Sequence, residues 1–145
     1  MVNTAVFALS LAIIDFKTKI LPNKYVFSLA ITSIIMVFFA TSFDWKYLIK
    51  CILFSTFIFI SYLGIYFISK KTFGLGDVKY SFALSIPAIF LFGVNDTINM
   101  HLASFIIGGV GALMILIIKR VSKNHTIAFG PFMSVSYFLF LVLNL

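Results

Sequence analysis

The chain has 145 residues, of which 62% are hydrophobic and 10% charged, with a mean hydropathy of +1.15 and a formal net charge of +7. That composition excludes an ordinary soluble domain. The single cysteine, Cys51, lies in an apolar run and supports neither a disulfide nor a cysteine zinc site.

Apolar stretches long enough to cross a bilayer core recur along the whole sequence. The expected fold class is therefore all-α: a polytopic membrane helix bundle of about six transmembrane helices, forming a single membrane-embedded domain over residues 1–145. A transmembrane β-barrel would require short alternating strands, whereas the apolar runs here are continuous. In chain order the first helix is expected over Val2–Ile14, continuing past Asp15 until Pro22 interrupts it. Tyr25–Phe43 and Tyr47–Ile68 follow. Val78–Val94 is the fourth, with Pro87 as a kink, and Asn95-Asp96-Thr97 forms a polar loop before the fifth, Ile98–Ile118. Thr126–Leu145 is the last, with Gly130-Pro131 near its start. No cleavable signal peptide is expected, because the first fourteen residues hold no Lys or Arg.

Charge placement gives an orientation. Lys17, Lys19 and Lys24 fall at the first loop, Lys70, Lys71 and Lys79 at the third, and Lys119, Arg120 and Lys123 at the fifth. Only Lys46 and Lys50 fall at the second, so nine of the eleven cations lie at odd-numbered loops. The positive-inside rule places those loops in the cytoplasm of a cell-membrane protein and both termini outside. The basic balance is then a topology signal plus attraction to anionic membrane lipid. Nucleic-acid binding is not expected, since the charges are scattered over short loops without a basic face.

Four aspartates are the only acidic residues. Asp44 and Asp96 sit in polar loops, where helix capping or a solvated turn explains them. Asp15 and Asp77 lie at helix edges on the cytoplasmic side, and acids in such apolar surroundings are functional candidates. Two carboxylates a few ångströms apart tend to share one proton. The ionised one can act as general base on water, while the protonated one polarises a carbonyl. That chemistry needs neither a metal nor any other cofactor. Gly74 and Gly76 flank Leu75 just before Asp77 and allow close backbone approach. The same residues also fit a plain interhelical turn, with Asp77 as an N-terminal helix charge.

Gly74-Leu75-Gly76-Asp77-Val78-Lys79 resembles the GxGD-x-K signature of the type IV prepilin peptidases. Asp15, followed by Lys17, Lys19 and Ile20-Leu21-Pro22-Asn23, resembles that family's first-aspartate segment. Ile127-Ala128-Phe129-Gly130-Pro131-Phe132 is similar to its third landmark, a Pro-Phe-Gly-Pro stretch before the last helix, with Ala128 where a Pro is usual. The resemblance implies an aspartic endopeptidase that removes the class III leader peptide of a prepilin or pseudopilin at the cytoplasmic membrane face. In it Asp15 and Asp77 are the catalytic pair, and Gly74, Gly76 and Lys79 shape the active-site loop. Pro22, Asn23, Gly130 and Pro131 support it. No segment with paired CxxC motifs is present, so the chain looks like a minimal peptidase unit, and N-methylation of the product is not implied. The alternative is a small proton- or cation-coupled transporter component using the same two acids.

Three smaller features have plainer readings. Gly108 and Ala112 have the small-xxx-small spacing of a close helix contact. His101 and His125 have no neighbouring ligand set for a metal. Trp45 and Tyr47 suit an interfacial belt.

Overall fold

The computed structural model describes residues 2–18, 21–70, 73–119 and 128–144. Lys19, Ile20, Lys71, Arg120, Lys123, His125, Thr126 and Ile127 lie outside the described residues. Those described form helices and their connections, with no strand among them: α1 (Val2–Thr18), α2 (Asn23–Ala40), α3 (Trp45–Ile68), α4 (Leu75–Lys119) and α5 (Gly130–Leu143).

The helix boundaries follow local chemistry. Pro22 caps α2 in an extended conformation, and its carbonyl accepts from Tyr25 N at 3.1 Å. α2 ends at Ala40, three residues earlier than expected, because Ser42 and Phe43 adopt positive φ and Phe43 N closes back on Phe38 O. Asp44 then caps α3, its Oδ1 accepting from Lys46 N at 2.9 Å and Tyr47 N at 3.3 Å, so its expected capping role holds. Trp45 follows directly and is well exposed. Within the apolar helices, hydroxyls such as Thr32, Thr56 and Ser61 donate to carbonyls one turn back, which gives each a partner within its own helix.

α4 is two helices joined across one residue. Gly93 has φ 82 and ψ 176, a region that essentially only glycine occupies. Ser85 and His101 would stand about 24 Å apart along a straight helix, yet Ser85 Oγ and His101 Nε2 are 2.9 Å apart. The two limbs therefore fold back on each other at Gly93, giving six helical segments among the described residues. This corrects one expectation. The reversal lies at Gly93, the only residue of α4 with non-helical torsions, rather than in a loop over residues 95–97. Asn95-Asp96-Thr97 is helical rather than a loop, since one glycine makes the reversal and Thr97 Oγ1 already donates to Gly93 O at 2.7 Å.

The first limb of α4 is the axis of the molecule. Tyr80, Ser81 and the run Ala83–Ile89 are buried, and α2, α3 and α5 all pack on α4, while α1 lies chiefly against α5. The main core joins Ala8 and Leu11 of α1, Leu29 of α2, Leu84 of α4, and Met133 and Tyr137 of α5. A polar thread crosses it: Tyr62 Oη meets His101 Nδ1 at 3.0 Å, and Thr4 Oγ1 meets Tyr137 Oη at 2.9 Å. Outward faces carry large apolar side chains at helical spacing, such as Phe27, Ile31, Ile35 and Phe39 on α2, as expected of helices surrounded by lipid. Asn23–Ala40, Trp45–Ile68 and Leu75–Met114 are each long and apolar enough to cross a membrane.

Candidate active site

Three helix ends meet at one end of the bundle: the last turn of α1, the start of α4 and the start of α5. Asp15 lies in that last turn of α1 and is 3% exposed. A carboxylate near a helix C-terminus gains nothing from its own helix dipole. Here the opposite kind of helix end supplies what is missing. Gly130 N, at the start of α5, donates to Asp15 Oδ2 at 3.0 Å.

Asp77 lies in the first turn of α4 and is 7% exposed. Gly74 O accepts from Asp77 N at 3.1 Å and Val78 N at 3.3 Å, which fixes where α4 starts, three residues before the expected Val78. Asp77 Oδ1 is buried without a hydrogen-bond partner. Two acids from distant parts of the sequence thus line one cavity.

The glycines are required by this proximity. A Cβ at Gly130 would stand 2.6 Å from Asp15 Oδ2, and one at Gly74 would stand 2.7 Å from Asp77 Oδ2. A Cβ at Gly76 would stand 3.0 Å from the Cβ of Leu21, so this glycine brings the start of α4 against the α1–α2 connection. Each of the three therefore has a steric reason particular to it.

Asp15, Leu21, Asn23, Gly74, Leu75, Gly76, Asp77 and Lys79 line one cavity of about 340 Å³. Lys79 Nζ donates to Asn23 Oδ1 at 3.0 Å across its mouth, so residues from the first and second landmark are joined directly. Pro22 acts by starting α2 and so placing Asn23. Pro131 sits in the first turn of α5, where a missing N–H costs no helical bond. Sequence reasoning thus brought together Asp15, Asp77, Gly74, Gly76, Lys79, Asn23 and Gly130, with the two prolines behind them.

A second cavity, of about 300 Å³, adjoins the first. Gly74 and Asp77 line both. Its other walls are Phe73, Phe105, Phe129 and Phe132, with Gly108 and Gly109 on the second limb of α4. Sequence reasoning gave these phenylalanines no role: Phe129 and Phe132 fall within the third landmark, and among 19 Phe in one chain nothing marks Phe73 and Phe105. It took Gly108 as a helix contact, and Gly108 does carry one: a Cβ there would stand 2.9 Å from the Phe129 ring. Its partner in that contact is Gly111, set against Phe132 at 2.8 Å; Ala112 lines the cavity instead.

The sequence matches the type IV leader peptidase family over residues 3–113, a span that includes both aspartates and stops before Gly130. No curated protein and no solved structure matches it.

Proposed function

We propose that this chain, which belongs to the type IV leader peptidase family, uses Asp15 and Asp77 to hydrolyse the leader peptide from type IV prepilins or prepilin-like proteins. Family membership and the apolar helices make it a membrane peptidase acting on a protein substrate. The observation that carries the finer reading is that the two aspartates, both buried, share one cavity where three helix ends meet.

Two carboxylates in that arrangement hold one proton between them. The ionised one accepts a proton from water, and the water oxygen bonds to the carbonyl carbon of the scissile peptide. The protonated one donates to the carbonyl oxygen. When the tetrahedral intermediate collapses, the C–N bond breaks and the departing nitrogen takes a proton. The products are a leader with a new carboxylate and a mature protein with a new amine. The aspartates begin and end in the same state, and no cofactor takes part.

The reading places the chain in the cytoplasmic membrane as one domain with six crossings, its active site facing the cytoplasm and its termini outside. The fold-back at Gly93 supports the sixth crossing. Lys17, Lys24 and Lys70 lie next to helix ends on the same side as the aspartates, which supports the orientation. The acids sit at the end of the bundle rather than midway through it, which favours a peptidase over a proton or cation pathway.

The test is co-expression with a prepilin, scoring leader removal by gel shift and mass spectrometry. Asp15→Asn and Asp77→Asn should each abolish cleavage while reaching the membrane as wild type does. Undiminished cleavage by either variant would break the pair.

A further inference from the structure

The two aspartates stand where their helix ends put them. Asp15 Oδ2 accepts from a backbone N–H, and Asp77 Oδ1 is buried without a partner. What holds those helix ends together therefore bears on the chemistry, and a buried polar tie lies directly behind the cavity. Tyr80 Oη and Ser134 Oγ are 2.8 Å apart, and Ser134 Oγ stands 3.0 Å from Ala8 O and 3.1 Å from Gly130 O. Tyr80, Ser134 and Ala8 are all buried. A carbonyl can only accept, and Ser134 has one O–H. That proton goes to the carbonyls, so the Tyr80 hydroxyl donates to Ser134. The chain from Tyr80 through Ser134 to Ala8 joins α4, α5 and α1, the three helices whose ends form the site.

Each member shares a helix face with a member of the site. Tyr80 follows Asp77 by three residues and Ser134 follows Gly130 by four, about one turn in each case. Ala8 precedes Asp15 by seven residues, about two turns. We propose that Tyr80 is a positioning residue: its hydroxyl, held by Ser134, fixes how closely the helix end bearing Asp77 approaches those bearing Asp15 and Gly130. This rests on the peptidase reading above. Tyr80 acts through the helices and takes no part in the proton transfers. A second hydroxyl pair in the bundle has no such place. Thr4 Oγ1 and Tyr137 Oη, 2.9 Å apart, also join α1 to α5. Thr4, however, precedes Asp15 by eleven residues, about 16 Å along the helix, and neither member lies on α4.

Tyr80→Phe and Tyr137→Phe make a matched test, since each removes one buried hydroxyl and keeps the ring. Purified variants in lipid vesicles would be assayed on one prepilin for kcat and KM, and for Tm. One lost hydrogen bond should lower Tm by about 2–4 °C in either variant. A misplacement near 1 Å can lower a rate about 10²-fold. A smaller shift of α4 in Tyr80→Phe should therefore lower kcat about tenfold with KM unchanged, whereas Tyr137→Phe keeps the wild-type kcat. Ser134→Ala should lower kcat as Tyr80→Phe does, and the double variant no further than the worse single, because the pair acts as one unit. Wild-type kcat in Tyr80→Phe overturns the positioning role and leaves the peptidase standing. Equal falls in Tyr80→Phe and Tyr137→Phe, or a change confined to KM, also overturn it. Should Tyr80→Phe fail to fold, Ser134→Ala set against Tyr137→Phe decides alone. If wild type cleaves nothing, the peptidase reading falls and the positioning role with it.

Discussion

Replacing Gly130 by alanine tests whether backbone, rather than side chain, positions the first aspartate. The added Cβ would stand 2.6 Å from Asp15 Oδ2 and 3.3 Å from its Cγ, with Leu21 Cδ1 at 3.4 Å. Ordinary contact begins at 3.4 Å, so the carboxylate must retreat by about 0.8 Å or α5 must move away. Leu21 closes one direction of escape. Forcing a methyl into such a packed site costs about 1–3 kcal/mol. The catalytic cost is larger, since a misplacement near 1 Å can lower a rate about 10²-fold. The expected result is a fall in kcat on that order, measured as leader removal by purified enzyme in vesicles, with a lower Tm. Gly64→Ala in α3 is the control, because a Cβ there meets nothing within 4 Å and alanine suits a helix interior better. Full activity in Gly130→Ala at an unchanged Tm would refute the claim that this glycine sets the position of Asp15.

Two further substitutions probe the frame rather than the site. Gly93→Ala forces a side chain into φ 82, ψ 176 and should cost about 1–3 kcal/mol, seen as a lower unfolding midpoint in detergent; a midpoint equal to wild type would argue against a strained reversal there. His101→Leu removes the nearer partner of Tyr62 Oη, leaving Ser104 Oγ at 3.5 Å, while Ser85 Oγ keeps its bond to Ser81 O at 2.6 Å, so stability should drop by about 1–3 kcal/mol with kcat of the folded protein unchanged. A selective fall in kcat would instead place His101 in the chemistry.

The sequence made much of this arrangement legible, and the failures have physical causes. Helix type followed from long apolar runs, since a chain in lipid has few other ways to satisfy its backbone. The capping role of Asp44 followed from its residue type. The reversal within α4 was expected over Asn95-Asp96-Thr97 because polar residues are a visible loop signal, whereas a glycine torsion is invisible until the structure shows it. Pro87 stays within the helical part of its limb, as prolines in apolar helices can when neighbours satisfy the freed carbonyl. Once one residue makes the turn, Asn95, Asp96 and Thr97 are free to be helical despite their polarity. Of the four phenylalanines around the second cavity, Phe129 and Phe132 fall within the third landmark, while Phe73 and Phe105 could not be told from the rest of the Phe content by composition or periodicity.

The third landmark explains why the site is spread over so much of the chain. Residues 128–131 carry no titratable group, and the family match over residues 3–113 does not reach them. Their contribution is the Gly130 N–H, presented by a helix end to Asp15, which lies 115 positions earlier. A backbone donor leaves one trace in sequence: the residue that bears it must be small enough for the acceptor to approach. Pro131 adds a second trace, because it lets α5 begin there without an orphaned N–H. Glycine followed by proline is thus the visible consequence of bringing a helix start against a buried carboxylate. The same logic applies at Gly74, where the absent Cβ leaves room for Asp77 Oδ2. The aspartates supply the chemistry under the peptidase reading, and the glycines set how closely the helix ends that hold them can meet. Activity should therefore be as sensitive to a methyl at Gly130 as to many changes in the acids' own neighbours on α1 and α4.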